Sequence, residues 1–172
     1  PSQCGHVIKM LVGHHGRNKQ LCQFIATAYK AGRHILAQSD TLEHLNVIYS
    51  LLPSYGVPPQ KIAAYVGGMK AHEREEAKKA PVILATYQMT KEATDIPSLD
   101  TLVMMTPKAN VEQIVGRIRR QHPTKKPPVV FDLIDETSPL FAAYWKSRKK
   151  WYESEGFALE QPLRVVKAVK PA

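Results

Sequence analysis

The stretch Gln113-Ile114-Val115-Gly116-Arg117-Ile118-Arg119-Arg120 decides how this chain is read. Gln113, Gly116, Arg117 and Arg120 recur at three- and four-residue intervals, so a helix through them carries all four on one face. Two guanidiniums one turn apart can reach a single polyanionic group, and the planar fork of Arg donates to phosphate oxygens in pairs. Gly116 destabilises such a helix by about 1 kcal/mol relative to Ala, which predicts close approach of backbone or ligand at that point. A solvated basic face on a surface helix is the competing reading of any Arg pair taken alone.

On either side of this stretch, apolar runs of strand length alternate with helical patterns. Strands are predicted at 33–38, 62–66, 82–86, 99–105 and 129–134. Leu42, Leu45, Ile48, Leu51 and Leu52 mark one face of a helix over 41–52, with Ser39-Asp40 as its cap. Leu21, Phe24, Ile25 and Ala28 mark the inward face of another over 16–31, a short charged helix spans 73–79, and Asn110 opens the arginine helix. Short apolar strands separated by helices predict an α/β fold, a parallel sheet covered on both faces. In such sheets ligands bind beyond the carboxyl ends of the strands, so the loops after Gln38, Val66, Thr86 and Met105 are expected on one rim.

A last helix is predicted over 139–153. Phe141, Tyr144, Trp145, Arg148 and Tyr152 lie on one stripe of it, interleaved with Lys146, Lys149 and Lys150. Aromatic rings among cations can form a stacking platform for bases. A stripe at helical spacing favours core for the rings, with the lysines turned to solvent or phosphate. One further strand is expected near Val165-Val166.

The chain has 172 residues, 44% of them hydrophobic, enough for one full core. Its apolar runs are too short to span a bilayer, and 7–12, interrupted by Lys9, does not make a signal segment. Two cysteines, Cys4 and Cys22, provide no disulfide framework and fit a reducing compartment. The formal net charge of +9 is concentrated from Lys108 onward, where 13 Lys or Arg face 7 Asp or Glu. That balance favours a polyanionic partner, nucleic acid first. His6, His14, His15 and His72 lack the spacing of a metal set, so no metal site is expected. Asp132 and Asp135, near a strand end, fit caps or partners for Arg better than metal ligands.

Taken in order, the segments 33–40, Gly67-Gly68, 85–97 and 113–120 resemble motifs of the second, C-terminal RecA-like domain of superfamily 2 helicases. The branch with phage and large-DNA-virus DNA helicases is the nearest in look, and the likeness covers about residues 16–136. Its strongest pieces are the Q-x-x-G-R-x-x-R run at Gln113 and Ala85-Thr86 followed by Glu92-Ala93-Thr94-Asp95-Ile96-Pro97. The resemblance implies a RecA-like domain over 1–136, with a C-terminal aromatic and basic helix and tail, 137–172, packed on it. It implies that Arg117 and Arg120 reach across an interdomain cleft to the phosphates of ATP, Arg120 as the finger. It also implies that Gln113 and Gly116 hold the nucleotide side of the helix, and that Asp95 lies near the ribose or the arginines. Ser39, Asp40, Gly67, Gly68 and Thr86 match positions along a nucleic-acid track, DNA being expected over RNA. Many relatives carry Gly where this chain has Ala93, which matters if that position needs positive φ.

No G-x-x-x-x-G-K-[ST] run occurs in the chain, nor an acidic Asp-Glu-x-His tetrad. Those parts hold Mg-ATP in such motors. The chain is therefore expected to act as half of an ATP-dependent helicase, inactive as an ATPase alone. ATP and Mg2+ would be bound mainly by an N-terminal RecA-like domain of the same protein. An intracellular location is expected, at replication sites in host cytoplasm or nucleus if the source is viral. The alternative is a nucleic-acid-binding or docking module with no role in ATP turnover. A small-molecule Rossmann enzyme is disfavoured, because no G-x-G-x-x-G follows a first strand.

Overall fold

The structure, a computed structural model, describes residues 3–160 apart from 94 and 137, and of Gln3 and Arg117 the backbone alone. The expected strand near Val165-Val166 lies outside the described residues. Five strands form one parallel sheet: β1 (Ile35–Ser39), β2 (Ile62–Tyr65), β3 (Val82–Thr86), β4 (Thr101–Met104) and β5 (Val129–Asp132). Their spatial order is β2-β3-β1-β4-β5, with Ile35 opposite both Val82 and Thr101. Because every pairing is parallel, all five strands end on one rim, as the sequence predicts.

Alternation along the strands builds two cores. Ile35, Ala37, Val82, Leu84 and Val103 point to the face covered by α2 (His15–Lys30) and α3 (Leu42–Leu51). Leu36, Ile83, Ala85, Leu102 and Met104 point to the other, where α6 (Glu112–Ile118) and α7 (Pro139–Ser154) pack. Ala77 of α4 (Ala71–Ala77) and Ala93 of the single turn α5 (Thr90–Ala93) join that second core. The central strands β1, β3 and β4 are buried on both faces, which is why they tolerate near-continuous apolar runs, while the edge strands β2 and β5 are only partly covered.

Several boundaries differ from the sequence reading. Thr41, and not the Ser39-Asp40 pair, caps α3, its hydroxyl accepting from the His44 amide. The arginine helix begins two residues later than predicted, with the Asn110 side chain accepting from the Glu112 amide. It also stops at Ile118, so Arg120 lies beyond it and does not share a regular helical face with Gln113 and Gly116. A helix that the sequence reading lacked, α1 (Gln3–Val12), packs Ile8, Leu11 and Val12 against Phe141 of α7.

Candidate functional site

The candidate residues fall into two groups, set on opposite faces of the sheet. Ser39 and Thr86 end β1 and β3 and are direct register partners on the α2–α3 face. Gly67 and Gly68 follow β2 on the neighbouring edge, both exposed, and only Gly68 adopts positive φ (+83°). Asp95, Gln113, Gly116 and Arg120 belong to the loop after α5 and to the α6 region, on the other face.

Ser39 is completely buried, and its partners are internal. His44 Nε2 lies 2.9 Å from Asn18 Oδ1, and the Asn18 amide nitrogen donates to the Val12 carbonyl at 2.8 Å. Asn18 Oδ1 is thus an acceptor, and the imidazole carries its proton on Nε2. Nδ1 then accepts from the Ser39 hydroxyl at 2.8 Å. The Ser39 proton is spent inside the fold. Burial, and secondarily the charge of Arg17, hold the His44 imidazole down to a pKa of about 4.

Asp40 sits at the centre of the rim. Its backbone N–H donates to the Thr106 hydroxyl at 3.0 Å, which donates in turn to the Asp40 carboxylate at 2.7 Å. Lys108 pairs with the same carboxylate and lies over the Tyr87 ring, 4.6 Å from its centroid. The Tyr87 hydroxyl donates to the Thr106 carbonyl at 2.7 Å, and burial pushes its pKa up. The loop after β1 is thereby tied to the loop after β4. Sequence reading missed Asn18, His44, Tyr87, Thr106 and Lys108, since their partners are distant in the chain. The one available signal was a polar residue at a strand's carboxyl end.

Two buried guanidiniums brace the same rim from opposite faces. Arg17 of α2 grips Asp135 with two bonds of 2.9 Å and also donates to the Met105 carbonyl. Arg148 of α7 grips Asp132 at 2.6 and 2.9 Å and donates to the Lys108 carbonyl at 2.7 Å. Asp132 and Asp135 do pair with arginines, as expected. Of the stripe on α7, Phe141, Arg148 and Tyr152 are buried and Tyr144 and Trp145 half-buried, while Lys146, Lys149 and Lys150 face solvent.

Around α6 the surface is open. Arg120 is 57% exposed and Asp95 66%, and the guanidinium meets the carboxylate at 3.2 Å. The Lys125 ammonium donates to the Arg120 carbonyl at 2.8 Å, and burial lowers the pKa of that lysine. A Cβ at Gly116 would meet nothing within 4 Å, so the close approach predicted there is not made by the described residues. Gly116 instead floors an open groove of about 400 Å³, lined by Glu112, Arg119, Arg120, Trp151 and Glu155. Gln113 is exposed on the same helix. The Arg117 side chain and Thr94 lie outside the described residues. Ala93 is fully buried and helical, and no non-glycine residue among those described has positive φ, so the departure from Gly requires no strain there. Among the described residues no cluster of three His, Cys, Asp or Glu could hold a metal, and no helix is long and apolar enough to cross a membrane.

No family model matches the chain. A protein of Acanthamoeba polyphaga mimivirus, named "Putative ATP-dependent RNA helicase", is 28% identical over 145 residues, which is 84% of this chain and 28% of the relative. The chain thus spans less than a third of that relative's length. Phage T4 UvsW superposes with a TM-score of 0.70 at 20% identity, covering 89% of this chain and 35% of the other. The C-terminal domain of Saccharomyces cerevisiae Dbp5 gives 0.52 at 14% identity, covering 80% of each. The viral relative is named for RNA, so the expected preference for DNA finds no support in it. The chain therefore shares sequence with a viral protein named as a helicase, and it has the RecA-like α/β fold also found in UvsW and in the C-terminal domain of Dbp5.

Proposed function

We propose that this domain is the second motor unit of an ATP-dependent helicase or translocase, and that Arg120 is its arginine finger. The observation that carries the reading is the exposure of the Arg120 guanidinium beyond the end of α6, next to a glycine whose open side no described residue fills. A finger must stay free to meet a phosphate on another domain, and its one charged tie among the described residues, Asp95, is exposed and weak. Bound Mg-ATP would supply the phosphoryl group whose transfer develops charge on peripheral oxygens. Arg120, joined by Arg117, would neutralise that charge, an effect worth roughly a thousandfold in rate. Gln113 and Gly116 would lie against the nucleotide side of the partner domain.

The nucleic-acid track runs along the rim. The turns after β1 and β2 carry Asp40, Gly67 and Gly68 there and Thr86, itself buried, ends β3, while Ser39 would act through its tie to His44. Main-chain groups and the surplus of positive charge would contact phosphates rather than bases. Alone, the domain would lack ATPase activity and bind nucleic acid weakly, with steep salt dependence.

The test is Arg120→Ala in the intact protein. ATPase should be lost while nucleic-acid affinity stays within about twofold, and equal loss of both would favour the docking-module reading. Salt titrations of the domain against single-stranded DNA, duplex DNA and RNA decide which polymer is preferred.

A further inference from the structure

Arg148 makes more contact than charge neutralisation requires. Two of its nitrogens already satisfy Asp132, yet the third reaches past that pair to the Lys108 carbonyl. Lys108 lies four residues before Glu112, where α6 begins. The guanidinium is wholly buried, with Trp145 5.6 Å away, and the Tyr152 hydroxyl donates to Asp132 at 2.9 Å. At the other end of α6, Arg119 pairs with Glu155 just past α7 and lies 5.5 Å from the Phe157 ring. Between these ties, Ile114, Val115 and Ile118 of α6 share one core with Tyr152, Trp145, Trp151 and Phe157. The segment bearing Arg120 is therefore fixed to α7 before and after.

A buried ion pair is seldom retained for stability, because apolar residues of similar volume often hold a fold as well. What Arg148 adds, and a hydrophobe cannot, is a directional bond to one particular carbonyl. We propose that Arg148 is a positioning residue: through the Lys108 carbonyl it sets the entry of α6, so that α7 governs where Arg120 is presented. This inference rests on the motor reading above and names α7 as the element that controls the same site.

The experiment uses Arg148→Met combined with Asp132→Asn, which removes both charges and leaves Tyr152 an acceptor. In the full chain, amide hydrogen exchange over 106–118 should speed up by about tenfold or more, with β1 and β3 unchanged. In the intact protein, kcat for ATP should fall by about tenfold while KM for ATP and nucleic-acid affinity change less than about twofold. Arg148→Lys, which keeps a donor for the carbonyl, should recover part of that loss. Unchanged exchange and turnover in a folded double variant would overturn the proposal. If the double variant fails to fold, Arg119→Ala with Glu155→Ala, both at the surface, decides instead: unaltered exchange over 112–118 and unaltered kcat overturn it. Arg120→Ala run in parallel separates the two ideas. Turnover insensitive to Arg120 would remove the motor reading itself, whereas turnover sensitive to Arg120 but not to Arg148 would remove this inference alone.

Discussion

Arg120 and Asp95 meet at 3.2 Å on open surface, 25 residues apart in sequence, and each keeps more than half of its side chain in solvent. A pair of that kind contributes between zero and about 1 kcal/mol, because water screens the charges and two mobile side chains must be ordered. It can therefore orient Arg120 without holding it back from a stronger anion. Asp95→Asn should change unfolding free energy by less than about 0.5 kcal/mol in a urea titration of the domain. On the motor reading it should still lower turnover in the intact protein. A stability loss well above that figure would show that the pair is structural.

His44 gives the domain an acid-sensitive latch. Its imidazole is fully buried between Ser39 and Asn18, and its pKa falls from the ordinary 6.5 to about 4. Arg17 lowers it further than burial alone, and Asp40 opposes both. Between those two values the unfolded chain binds the proton and the folded one does not, so stability is full above about pH 6.5 and declines as pH falls toward 4. The loss at the acid end is on the order of 3 kcal/mol. His44→Gln, which keeps polar groups at the site but does not titrate, should flatten the dependence of urea midpoint on pH across that window. An unchanged slope would place the titration elsewhere.

How far the fold was legible depended on whether the deciding contacts were local. The five strands stood out because each is a short apolar run closed by a turn, and in β1, β3 and β4 two-sided burial makes the run continuous. α1 did not stand out: its first turn, Gln3-Cys4-Gly5-His6, carries little apolar pattern, and it is settled by Phe141 at the far end of the chain. The arginine helix was predicted as one continuous face to Arg120, but it ends at Ile118. Beyond that point Arg119 turns to Glu155 and the Arg120 carbonyl accepts from Lys125, neither of which local spacing reveals. Ser39 matched a motif by residue type, yet the direction of its hydroxyl was fixed by Asn18, 21 positions earlier, acting through His44. Asp132 and Asp135 were legible as partners for arginine, though not which arginines.

Arg17 and Asp135 form a buried pair joining α2 to the segment after β5, with exposures of 6% and 11%. Arg17→Met leaves a carboxylate unpaired in low dielectric and takes a donor from the Met105 carbonyl. The expected loss is about 3–5 kcal/mol in denaturant unfolding. Arg17→Met with Asp135→Leu removes the stranded charge as well, and it should recover most of that loss. A double variant as unstable as the single would mean that the carbonyl bond, not the uncompensated charge, dominates.

Gly116 separates the demands of this domain from those of the intact protein. It lies within α6, its φ is not positive, and an added Cβ would meet nothing within 4 Å. In the domain alone, Gly116→Ala should therefore stabilise by about 0.5–1 kcal/mol, since Ala loses less backbone freedom on entering a helix. If the open side of Gly116 is where a partner domain or nucleotide comes close, the same methyl group should hinder closure and reduce ATP turnover in the intact protein. Thermal unfolding of the domain and steady-state ATPase of the intact protein measure the two effects independently. A gain in both would mean that nothing approaches this face, and that the glycine serves neither fold nor motor.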